Sequence, residues 1–90
     1  MVASTGQTTV GTSAVQLKAT TLPFTCGVEI APLSANTGKI FYGFSNAVTT
    51  ATGKEIISPG AFVPAQQAGD AVDIWLISDT AAQGVSYTGF

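Results

Sequence analysis

The chain has 90 residues, of which 46% are hydrophobic and 9% charged, and its net charge is −2. That length allows one domain, and a lone domain of this size buries only about 60–65% of its unfolded surface, so its stability is modest. Three scattered lysines (Lys18, Lys39, Lys54), with no Arg and no His, exclude the basic surface that nucleic-acid binding needs, and exclude a membrane-surface role on the same ground.

Charged residues usually make up about a quarter of a globular domain, so this surface is covered instead by Thr, Ser, Gly, Ala, Asn and Gln. Such a surface resists association poorly and suggests that a partner covers part of it. Thr contributes 13 residues, Val 8 and Ile 6. β-Branched side chains pack well on a pleated sheet and lose rotamer freedom in a helix, which favours strands.

In chain order, residues 1–12 are small, polar and interrupted by Gly6 and Gly11. They read as a flexible or partner-ordered N-terminal arm, or as an edge strand around Thr8–Val10. The single domain is expected over 13–90. Residues 13–19 alternate, with Val15 and Leu17 inward, and Pro23 ends that strand. Residues 24–31 alternate more cleanly, placing Phe24, Cys26, Val28 and Ile30 on one face. Cys26 is thereby expected to be a small buried hydrophobe. As the only cysteine it forms no intramolecular disulfide.

Asn36, Thr37 and Gly38 form a turn of the kind a hairpin uses. Residues 39–44 then place Ile40, Tyr42 and Phe44 on one face and Phe41 and Gly43 on the other. Residues 45–53 form a polar loop around Val48, and Ile56 and Ile57 start a short strand. Ser58-Pro59-Gly60 is a turn, and Ala61 to Pro64 is a short edge strand closed by its proline. Residues 65–71 hold the only helical hint, too short for more than one turn. In residues 72–78, Val72, Ile74 and Leu76 share one face, while Asp73, Trp75 and Ile77 share the other. Val85 and Tyr87 face inward on the last strand. The result is an all-β chain: a small antiparallel β-sandwich or barrel of about seven to eight short strands.

No catalytic set is legible, and the chain is expected not to be an enzyme. Without His there is no Ser-His-Asp or Cys-His machine. One Cys and no His also leave no structural zinc site within one chain, and no cofactor is expected. Gly53-Lys54 lacks the spacing of a phosphate loop. Asp70 and Asp73 are expected to solvate a turn and a strand end, and Asp79 to cap the turn Ser78-Asp79-Thr80. No charged, apolar leader stands at the N-terminus and no apolar run approaches the ~18 residues of a membrane helix. Assembly in a host cytoplasm is the expectation.

Segment 35–88 resembles a group of small bacteriophage virion proteins. The resemblance lies in Asn36-Thr37-Gly38, the apolar-aromatic strand from Ile40 to Gly43, Val48-Thr49, Gly53, Pro59-Gly60, the strand from Asp73 to Ile77, and Ala81-Ala82-Gln83-Gly84-Val85. It implies a virion structural protein, such as a head decoration or cement protein bound to the major capsid protein or another virion protein. It also implies a homo-oligomer, a trimer or dimer. The second reading is a tail, fibre or baseplate adaptor, or a glycan-binding module.

Candidate interface residues are Phe41, Trp75, Ile77, Phe90, Thr8 and Val10. The open question is whether both faces of strands 39–44 and 72–77 are covered. If one is not, Phe41 and Trp75 are anchors for a neighbour.

Overall fold

The chain alternates between two layers. The computed structural model describes residues 4–90. β1 (Ser4–Val10), β3 (Gly27–Pro32), β6 (Ala61–Pro64) and β8 (Gln83–Gly89) form one sheet, in the order β1-β8-β3-β6. β2 (Val15–Gln16), β4 (Ile40–Gly43), β5 (Lys54–Glu55) and β7 (Trp75–Ser78) form the other, in the order β2-β7-β4-β5. Every neighbouring pair is antiparallel. Only the β4–β5 connection stays within one sheet. All other connections cross between layers, which makes the domain a small β-sandwich.

The period-2 alternation sets the core. The first sheet contributes Val10, Val28, Ile30, Val63, Val85 and Tyr87. The second contributes Ile40, Tyr42 and Leu76. Leu17, Phe24, Ile56, Ala71 and Ile74 close the ends. Fully burying each large side chain contributes about 1.5–3 kcal/mol, and the β-branched residues fit the pleat without losing rotamers.

Three expectations are corrected. Residues 4–10 are not an arm but the alternative, an edge strand around Thr8–Val10, extended to seven residues and paired with β8 from Ser4↔Gly89 to Val10↔Gln83. Their ordering partner is the chain itself, and residues 1–3 lie outside the described residues. Cys26 is exposed rather than buried. Strand pairing begins only at Gly27, whose φ of 147° breaks the alternation one residue after Cys26. Finally, residues 72–78 are not a single strand. Ala71–Asp73 form a 3-10 turn before β7, and the Asp70 carboxylate caps it by accepting from the Val72 N–H at 3.1 Å. The same carboxylate oxygen accepts from the Leu22 N–H at 2.9 Å, so Asp70 ties two loops together.

Smaller shifts follow from the same logic. β5 falls on Lys54–Glu55, just before Ile56 and Ile57. Ile56 closes the core at 3% exposure while Ile57 stands out at 65%. β6 is an edge strand ending at Pro64, as its proline implies.

Candidate functional site

The covered face of the second sheet is now defined. Ile40, Tyr42, Ile74, Leu76 and Ser78 turn inward and are buried. Phe41, Trp75 and Ile77 turn outward and are half-buried. Register sets their arrangement: Phe41 stands opposite Ile77 on β7 and opposite Glu55 on β5. Trp75 stands between Gly43 on β4 and Gln16 on β2. Directly opposed residues lie about 4.5–5.5 Å apart, so the three apolar side chains share one outer surface. The Gln16 side chain donates to the Val72 carbonyl at 3.0 Å and forms a polar border beside Trp75.

Part of that outer face carries the 45–53 loop. The loop is tied within itself: the Thr49 hydroxyl accepts from the Ala51 and Thr52 N–H groups at 3.2 and 3.1 Å, and the Thr52 hydroxyl accepts from the Thr49 N–H at 3.0 Å. Val48, 8% exposed, is pressed onto β4. A Cβ at Gly43 would lie 2.8 Å from Val48 Cγ2, and one at Gly53 would lie 2.8 Å from the Phe41 Cβ. Both glycines are small because the loop and strand approach that closely.

The other sequence candidates lie elsewhere. Val10 is fully buried and belongs to the core. Thr8 shares its inward parity, and its hydroxyl donates to the Leu17 carbonyl. Val10 offers no contact surface and Thr8 is half-buried, because β1 turns both side chains toward the interior. Phe90, 38% exposed, is held by its backbone: its N–H donates to the Gly27 carbonyl at 2.8 Å, and its own carbonyl accepts from the Thr25 and Cys26 N–H groups. It is on the first sheet, not beside Trp75. Phe62, 52% exposed and opposite Glu29 on β3, was not among the candidates. Its ring tip reaches to 2.7 Å from where a Cβ at Gly27 would stand.

A second concave region opens at the end of β4. Tyr42 and Phe44 meet edge to face, with ring centroids 6.0 Å apart. With Lys54, Thr52 and Gln67 they border a groove of about 590 Å³. That volume lies within the usual range of small-ligand sites. Phe44 is 49% exposed; alternation alone had placed it with the inward residues, but the strand ends at Gly43 and Phe44 projects past the core.

The Asn36-Thr37-Gly38 turn serves a structural purpose. The buried Gln83 Oε1 accepts from the N–H groups of Thr37 at 2.7 Å and Gly38 at 2.9 Å, and its Nε2 donates to the Ala81 carbonyl. Asn36 pairs with the backbone of Gly84 like a strand residue: Nδ2 donates to the carbonyl at 2.8 Å and Oδ1 accepts from the N–H at 2.9 Å. Sequence reasoning missed this clamp. The available signal was a glutamine at the same inward parity as Val85 and Tyr87. Gln83→Ala leaves two backbone donors without their acceptor, and the expected loss is about 1–3 kcal/mol. Urea denaturation checks it: a midpoint equal to the parent's would show that water replaces the amide without cost.

Asp79 extends the clamp. Its carboxylate accepts from the Lys39 N–H at 2.9 Å and from the Thr80 hydroxyl at 3.0 Å. Those two bonds, the Lys39 backbone bond first, hold its pKa below the ordinary 3.8. A depressed folded-state pKa contributes stability that is complete above the unfolded value and is lost as pH falls through the folded one. The thermal midpoint should therefore fall on acidification below pH 3.8, and Asp79→Asn should flatten that fall. Identical acid limbs for the two proteins would rule this contribution out.

Among the described residues, no group of three or more His, Cys, Asp or Glu is placed to hold a metal ion. Among the same residues, no helix is long and apolar enough to cross a membrane. No protein-family model, curated protein or solved structure matches this chain.

Proposed function

We propose that this chain is a structural module that docks on a protein surface through the outer face of its second sheet, as a bacteriophage virion component of the head decoration or cement type. The observation that carries the docking is the set of half-buried Phe41, Trp75 and Ile77 on the outer side of β4 and β7, beside the 45–53 loop. Large aromatic and aliphatic side chains held on a rigid strand pair lose little entropy when a partner covers them, and such residues dominate interface energies. The polar surroundings, Gln16 and Glu55, supply the rim that surrounds a docking core. The virion assignment rests on the turn-and-strand pattern of segment 35–88. Repetition on a lattice would multiply a weak single contact into firm attachment.

A second reading is favoured by a different observation, the groove beside Phe44. Aromatic rings edged by Lys54, Thr52 and Gln67 suit a glycan-binding adaptor of a tail, fibre or baseplate.

Co-sedimentation with empty phage heads, alongside a control with heads from which the capsid protein has been dissociated, tests the first reading. Trp75→Ala should cost about 2 kcal/mol of binding, on the order of thirtyfold, while Phe44→Ala leaves it unchanged. Parent chain that stays in the supernatant, yet binds a glycan array in a Phe44-dependent way, would overturn it in favour of the second.

A further inference from the structure

We propose that the free edge of β1 pairs with β1 of a second copy of this chain, antiparallel about a two-fold axis at Gln7, joining two four-stranded sheets into one of eight strands. This goes beyond the docking reading and uses a different surface, so either can fail alone.

The sandwich has four sheet edges, β1, β6, β2 and β5. Exposed edges invite pairing with other chains, and proteins blunt them with shortness, proline or charge. β2 and β5 are two residues long, and β6 is four residues long and ends in Pro64. β1 is seven residues long, STGQTTV, with no proline and no charge. It alone is left open.

The ladder shows which groups face outward. Phe90 and Gly27 exchange backbone bonds across β8 and β3, and the Leu33 N–H donates to the Gly84 carbonyl. With the register Val28↔Gly89 to Pro32↔Val85, the even-numbered residues of β8 bond to β3. By antiparallel alternation its odd-numbered residues bond to β1. Their partners there are Ser4, Gly6, Thr8 and Val10. Thr5, Gln7 and Thr9 therefore aim their N–H and C=O groups at the free edge. All three are exposed, and among the described residues the backbone of 4–10 makes no hydrogen bond outside the β1–β8 ladder.

An alternating row of donors and acceptors is satisfied by an extended backbone. A second copy of β1 fits by symmetry. Centred on Gln7, the pairing sets Gln7 against Gln7 and Thr5 against Thr9, each pair exchanging both N–H···O bonds. Inward residues stay inward and outward residues stay outward, so both faces of the sheet continue. A two-fold would set any charge on β1 near its own copy, at a cost. The first charged side chain in the sequence is Lys18, so no such cost arises.

Sedimentation velocity of the full chain tests this, at concentrations up to about 0.5 mM because interfaces under ~1,200 Å² are weak. A concentration-dependent dimer is expected. Gln7→Lys, which sets like charges across the axis, should abolish it. So should Gln7→Pro, which removes an N–H that faces only the free edge and spares the β8 ladder. Both variants should keep the parent's circular dichroism. In a Cys26→Ser background, Gln7→Cys should cross-link between copies on mild oxidation, since bonded antiparallel pairs set Cα atoms about 5.5 Å apart, within disulfide range. Thr88→Cys, one strand inward, should not. A parent that stays monomeric, a dimer that survives Gln7→Lys, or a missing Gln7→Cys cross-link would each overturn the proposal.

Discussion

Gly27→Ala is expected to destabilise the domain by about 2–6 kcal/mol. Two costs combine. The backbone at Gly27 has φ 147°, a region almost closed to residues with a Cβ, at about 1–3 kcal/mol. The added methyl would also meet the Val63 carbonyl oxygen and stand 2.9 Å from the Pro64 Cα. Those are backbone atoms of β6, paired to β3 across Gly27↔Pro64 and Val28↔Val63, and they cannot swing aside like a side chain. Overpacking of that kind costs about a further 1–3 kcal/mol. A domain of this size has about 5–15 kcal/mol in total, so the melting midpoint should drop by roughly 10 °C or more. A drop of less than about 4 °C, near 1 kcal/mol on that scale, would mean that β6 yields and that Gly27 is not a fixed point of the first sheet.

Gly27 also marks the limit of what the sequence disclosed. Alternation from Phe24 to Ile30 is correct for Phe24, Val28 and Ile30, all buried, and wrong for Cys26. Period-2 reasoning assumes one continuous strand, and a glycine in an unusual φ region breaks that assumption without altering the pattern of apolar letters. The same blindness merged Val72 with β7. A one-turn helix and a strand start look alike over three residues, and the distinguishing group was the Asp70 carboxylate on the Val72 N–H. By contrast, β7 itself, the inward Val85 and Tyr87, and the β6 edge with its proline were all legible. Each depends on local side-chain period or on proline's missing N–H.

Long-range partners were not legible. The Asn36-Thr37-Gly38 turn could be read as a turn, but its binding to Gln83 and Gly84 joins residues 45–48 positions apart. Local propensity carries no information on such pairs. The interface candidates divide the same way. Phe41, Trp75 and Ile77 come together because strand register makes them neighbours. Thr8 and Val10 do not join them, because the supposed arm has a partner, β8, that only the fold supplies.

Leu76→Ala and Trp75→Ala should separate fold from contact. The two residues are adjacent on β7 and face opposite ways. Leu76 is fully buried and opposed by Tyr42 and Val15. Removing its side chain opens a cavity between the sheets, at an expected cost of about 2–5 kcal/mol. Trp75 is half-buried on the outer face, so its removal withdraws packing from one side only and leaves no enclosed void. Its stability loss should be well below that of Leu76→Ala, in urea denaturation of both variants alongside the parent. Binding should rank the other way wherever Leu76→Ala remains folded, because the Trp75 side of β7 is the side a partner would touch. If Trp75→Ala proves the more destabilising of the two, the outer face is itself a core surface, closed by the 45–53 loop. The apolar content on both sides of β4 and β7 would then serve the fold alone.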